Sequence, residues 1–190
     1  MEKKQVGEFG YLDYIKKKNI LKTVIAFAVV FAVLIAGIII FKTKTNYMTV
    51  LSVVLVLPAA KMAVSCYIAV THKGCDEATH NEVLAEAGKL TSLFDCIVSN
   101  SKKPIGVSAV VVTDSCICAY TTEKADKNLF ETSVTEFLKA DKLNVNVTLY
   151  DNKEQFLNRI RKMATNFDMD NKHLADKMEW NTKTFLNMCI

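Results

Sequence analysis

Hydrophobic positions follow one another along this chain in two different rhythms. From Thr23 to Phe41, nineteen residues pass without a charge, filled mainly by Val, Ile, Ala and Phe and with no polar spacing. A second such stretch runs from Thr45 to Thr71 and is interrupted only by Lys61. An uncharged run of this length matches the ~20 helical residues that cross a ~30 Å hydrocarbon core. Backbone at membrane depth must bond internally, so the pair reads as a helical hairpin with spans at about 20–41 and 46–70. A cleaved signal peptide is the rival reading of residues 1–41, but its apolar core would hold 7–15 residues and end in a small-residue cleavage site, and neither condition is met.

Beyond residue 71 the rhythm changes to the periods of a packed domain. Val83, Leu84, Ala87, Leu90 and Phe94 recur at helical spacing after Thr79-x-x-Glu82, a capping-box pattern. Phe94–Val98 and the Val-rich Ile105–Thr113 read as strands on either side of an Asn-Ser-Lys-Lys-Pro turn, and Cys116–Thr122 follows after Asp114-Ser115 as a second hairpin arm. Leu129, Phe130, Val134, Phe137 and Leu138 return to the helical period, while Leu143, Val145, Val147 and Leu149 alternate as a half-buried strand. Asp151-x-x-Glu154 opens a helix carrying Phe156, Leu157, Ile160 and Met163. A last amphipathic helix aligns Leu174, Met178, Asn181, Phe185 and Met188. The predicted fold is a two-helix transmembrane hairpin plus an α/β (α+β) domain, ordered α-β-β-β-α-β-α-α around a small mixed sheet. The divisions are a basic segment 1–19, the hairpin 20–71 and the domain 72–190.

Charge orients this arrangement. Residues 1–71 hold nine lysines against Glu2, Glu8 and Asp13, a net of +6, which leaves −2 for residues 72–190 in a chain of net +4. Lys3, Lys4, Lys16, Lys17, Lys18 and Lys22 precede the first span, whereas the connecting loop holds Lys42 and Lys44. The positive-inside rule then places both termini and the domain in the cytoplasm, as a multi-pass protein of the cell membrane. Lys61 would snorkel from the second span to the cytoplasmic headgroups. A slightly acidic domain with Arg159 and Arg161 as its arginines is no nucleic-acid footprint.

Candidate chemistry is sparse. His72, Cys75 and His80 offer metal donors in the neck below the second span, without the paired cysteines usual in zinc sites. Asp114 and Glu123, one strand apart, are expected near the same end of a hairpin, where paired carboxylates could hold Mg²⁺. Cys116 and Cys118 share a strand face and read as reduced core residues, like the other cysteines in a reducing compartment. Asn146-Val147-Thr148 matches a glycosylation sequon, but it falls in an expected cytoplasmic strand. No phosphate-binding or dinucleotide-binding glycine motif is present, so no cofactor is expected.

Helix, three strands, helix, strand is also the core order of the restriction-endonuclease-like fold, some of whose bacterial members are membrane-tethered. Val107–Thr113 and Cys116–Thr122 resemble that fold's central hairpin, within a resemblance covering residues 77–150. The family's metal chemistry uses an Asp at the start of the first arm and an E-x-K on the second. Here the arms carry Val107-Ser108 and Thr121-Thr122-Glu123-Lys124. The resemblance therefore implies a member without the catalytic carboxylates, used for binding. The expectation is a non-enzymatic module at the inner face of a bacterial-type membrane. Its partners are the lipid bilayer and another protein, with self-association through the hairpin as a further option. The stripe ending in Phe185 and Met188 is the expected partner surface, packing on its own sheet being the alternative. The rival functions are a divergent metal-dependent hydrolase using Asp114 and Glu123, and a metal or redox sensor using His72, Cys75 and His80.

Overall fold

The structure, a computed structural model, describes residues 3–42, 47–100, 103–167 and 171–190. Lys44 of the connecting loop and Ser101-Lys102 of the expected turn lie outside the described residues. The chain divides into two compact units, Asp13–Thr71, and Met1–Leu12 together with His72–Ile190.

The first unit takes in α1 (Tyr11–Phe41) from Asp13 onward and α2 (Tyr47–Thr71), both helices long and apolar enough to cross a membrane. Their apolar side chains are displayed rather than buried: Leu57 is 72% exposed, and Leu21, Ile39 and Val53 also point outward. A helix that is apolar on all sides and uncovered by protein needs a non-aqueous surround. Lys22, the last charge before the apolar run of α1, lines a cavity of about 320 Å³ together with Asn19, Pro58, Lys61 and Ser65. Lys61 therefore lies level with the start of that run.

The second unit contains α3 (Glu77–Ala87), β1 (Thr91–Val98), β2 (Ile105–Val112), β3 (Cys116–Tyr120), α4 (Lys127–Ala140), β4 (Asn146–Tyr150), α5 (Lys153–Asn166) and α6 (Lys172–Asn187). The order is the one expected from the hydrophobic periods. The sheet runs β1-β2-β3-β4, antiparallel between the first three strands and parallel between β3 and β4. A parallel neighbour requires a crossover, and α4 supplies it. α3 and α5 pack on each other and on the sheet, while α4 contacts β4 and α6, and α6 reaches β1 and β2. With helices on both faces, every residue of β2 and β3 is buried, which explains why β2 reads as a continuous Val-rich run.

Helix starts differ from expectation by one to three residues. Asp76, not Thr79, caps α3, its carboxylate accepting the Thr79 N–H at 2.9 Å. Asn152, not Asp151, caps α5 through the Gln155 N–H. Thr79 already lies inside the first turn of α3, and the Asp151 carboxylate is engaged by Lys127 Nζ at 2.8 Å.

The first part of the basic N-terminal segment, as far as Leu12, groups with this domain, while Lys16, Lys17 and Lys18 belong to the helical unit. Phe94 N–H donates to the Gly7 carbonyl at 2.8 Å, and Gly7 pairs with β1 as an isolated bridge. Gly7 sits at φ +92°, where a Cβ would meet Leu93 at 2.9 Å, so only glycine fits. Phe9 packs against the core, and Leu12 is buried. At the far end of the same edge, Ile190 N–H donates to Ile97 and Ser99 N–H to Met188. Both chain ends thus cover the open edge of β1, a strand that would otherwise template pairing with other chains.

Candidate functional site

The three neck donors do not converge. His72 is buried, and its Nδ1 pairs with Glu123 Oε2 at 2.8 Å, while Glu123 Oε1 accepts the Lys73 N–H at 2.7 Å. His80 stacks between Phe9 and Phe94, with ring centroids at 4.2 and 4.5 Å. Cys75 donates its backbone N–H to Asp95 at 2.6 Å. Its thiol is pushed up to about 12 by burial first and then by the negative charges of Asp95 and Asp76, so it stays protonated. Among the described residues, no group of three or more His, Cys, Asp or Glu side chains is placed to hold a metal.

The expected carboxylate pair is also separated. Asp114 lies in the β2–β3 turn, whereas Glu123 follows the far end of β3 and comes within reach of Gly106 at the start of β2. The five residues of β3 stand between them, and a strand of that length extends roughly 17 Å. The expectation of a shared end fails because one intervening strand reverses position along the hairpin axis. Residues two strands apart would have shared an end.

The C-terminal stripe turns inward. Phe185 and Asn181 are fully buried, and Met178 and Met188 join the core. The helix face read as partner-directed is therefore the face that packs on β1 and β2. Asn181 does more than fill space: its amide nitrogen donates to the carbonyls of Thr113 and Asp114, each at 2.9 Å, and so anchors the β2–β3 turn.

That turn forms one wall of the most chemically distinctive site in the domain. A cavity of about 230 Å³ is lined by Thr113, Asp114, Ser115, Cys116, Arg159, Lys162, Met163, Asn166 and Phe167. β3 turns Cys116 and Cys118 to one face, as the period of a strand demands, and their sulfurs lie 3.6 Å apart. Cys118 Sγ also lies 3.4 Å from Met163 Sδ on α5. Arg159, one turn earlier on α5, brings Nη2 to 4.0 Å from Cys116 Sγ. The chain matches no family model, no curated protein and no solved structure.

The electrostatics of the pair are asymmetric. Hydrogen bonding from Cys118 and then the Arg159 guanidinium bring the Cys116 thiol down to about 6 against the opposing effect of burial. Cys118 is pushed up, first by its bond to Cys116 and then by burial. Of the two, Cys116 at the cavity wall is therefore the one that loses its proton first, with Cys118 held as the thiol. A thiolate is the nucleophilic and metal-binding form of cysteine. The sequence shows the shared strand face of Cys116 and Cys118. It gives no sign of Met163 and Arg159, which arrive from a helix more than forty residues later.

Proposed function

We propose that the chain is a membrane-anchored interaction module, its hairpin crossing the bilayer twice and its α/β domain standing at the cytoplasmic face. The observation that carries this reading is the bonding of residues 3–12 into the domain formed by residues 72–190. Gly7 pairs with Phe94, and Asp95 accepts both the Gly10 N–H and the Cys75 N–H at 2.6 Å. Segments bonded to each other occupy one compartment, so the chain between them crosses a bilayer an even number of times. The lysine bias before α1 favours the cytoplasm for that compartment. Lys61, level with Lys22, then belongs to the headgroup zone of the inner leaflet.

Binding rather than hydrolysis is supported by the site geometry. The element order and the parallel β3–β4 pair are compatible with the restriction-endonuclease-like resemblance. However, Ser108 and Thr122 face each other at 3.5 Å as hydroxyls, and Glu123 is engaged by His72 and Lys73. The partner fitting this reading is another protein at the membrane surface. Epitope tags at both ends of the full chain test the topology in sealed vesicles of either orientation. Both tags should be digested by protease in inside-out vesicles and protected in right-side-out ones. Digestion of one tag alone would sink the two-span reading.

A further inference from the structure

We propose that Cys116, Cys118 and Met163 form a binding site for a soft monovalent metal ion, copper(I). This inference does not rest on the membrane topology. Three sulfurs in contact within a core could be ordinary packing, since cysteine and methionine behave as hydrophobes there. Four observations set this cluster apart.

The first is spacing. Cys118 Sγ lies 3.6 Å from Cys116 Sγ and 3.4 Å from Met163 Sδ. Two sulfurs each ~2.3 Å from one ion, the metal–thiolate distance found for zinc, stand within ~4.6 Å of each other. The observed separations need little adjustment.

The second is ligand type. Two thiolates and a thioether are a soft set that selects copper(I), whereas a thioether is no zinc ligand and structural zinc takes four Cys or His donors. Among the described residues, no histidine lines this cavity.

The third is charge. Two thiolates with one monovalent cation leave a net of −1, which the Arg159 guanidinium at 4.0 Å from Cys116 offsets. With a divalent ion the centre would already be neutral, and the guanidinium beside Cys116 would have no charge to offset. The fourth is access: Cys116 and Met163 both line the cavity, so an ion arriving from solvent meets them before Cys118.

A disulfide fits this geometry less well. Alternate residues of a strand have Cα atoms roughly 6.6–6.8 Å apart, at the long limit for a disulfide, and β3 is fixed by ladders to both β2 and β4. On binding, each thiol that is still protonated releases its proton to solvent.

The test is an anaerobic titration of the full chain in detergent with copper(I), in competition with a chromogenic chelator. One ion per chain is expected. Cys116→Ser should weaken binding by more than ~100-fold, beyond what second-shell changes cost, and Arg159→Gln by ~10–100-fold. Cys75→Ser and Cys189→Ser should leave the affinity unchanged. Met163→Leu conserves volume and keeps the core packed, so weakened binding in this variant with an unchanged unfolding temperature assigns the loss to the thioether. Undiminished copper(I) binding in Cys116→Ser would overturn the proposal. Displacement of copper(I) by equimolar zinc would do so as well.

Discussion

The carboxylate of Asp95 accepts the backbone N–H of Gly10 at 2.6 Å, across 85 positions of sequence. Its other oxygen takes the Cys75 N–H at the same distance. One buried side chain thus holds the chain where it leaves the domain and where it re-enters. Asp95 also sits at φ +54°, a region that Asn tolerates and Ala does not. Asp95→Ala is expected to cost about 3 kcal/mol or more, since hydrogen bonds to a charged group are worth about 1.5–3 kcal/mol each. Asp95→Asn should cost less. Denaturant unfolding of the full chain in detergent measures both, and equal stability of Asp95→Ala and the parent would refute the clasp.

Cysteine reactivity should run against exposure. Cys116 is 7% exposed and Cys75 more so, yet Cys116 is brought down to about 6 and Cys75 pushed up to about 12. Alkylation of Cys116 should therefore rise through pH 6 and level off before pH 8, while Cys75 stays unmodified at pH 8. Arg159→Gln should move the Cys116 midpoint upward. The linkage sign follows the depressed value. Stability contributed by the Cys116 thiolate is complete above the ordinary 9.0 and is lost as pH falls through about 6. Peptide-resolved mass spectrometry of timed labelling reads the order, and faster labelling of Cys75 would contradict it.

Asn181 fixes the β2–β3 turn by donation alone, because its own buried Oδ1 has no partner among the described residues. Asn181→Asp replaces two donors with a carboxylate facing two carbonyl oxygens, and about 3–5 kcal/mol of stability should be lost at neutral pH, as for an uncompensated buried charge. Asn181→Leu should cost less, since it also removes the unpaired oxygen. Thermal unfolding of the two variants decides the order. A leucine variant less stable than the aspartate variant would reject this account of the turn.

Lys61 and Lys22 line one cavity of the hairpin, so they should occupy one depth. In otherwise cysteine-free full-length chains, Lys61→Cys and Lys22→Cys should react at similar rates with a membrane-impermeant maleimide applied to inside-out vesicles. Strong labelling at position 22 with none at position 61 would place Lys61 inside the hydrocarbon and remove the headgroup assignment.

The legible part of this molecule is what local periodicity encodes. The Val-rich run of β2 and the every-fourth-residue spacing of Phe130, Val134 and Leu138 announce their elements, and their order follows. What stays hidden depends on distant partners. Nothing near Gly7 signals that it pairs with Phe94, and Phe9 carries no mark of its stacking on His80. Phe185 and Met188 show an apolar stripe, but a stripe looks the same whether it faces its own sheet or a partner. Asp114 and Glu123 mislead differently, because nearness in sequence across a single strand is distance in space.

The bonding of Gly7 to Phe94 has a temporal side. The first piece of the domain leaves the ribosome about 87 residues before the strand that receives it, roughly 4–17 s at ordinary synthesis rates. On the proposed topology, both spans are synthesised in that interval. A chain that inserted a single span would strand residues 3–12 across the bilayer from β1 and leave the Phe94 end of its edge uncovered. Completion of the domain thus becomes a readout of correct insertion, and chains that fail the first step expose the edge that quality control can recognise.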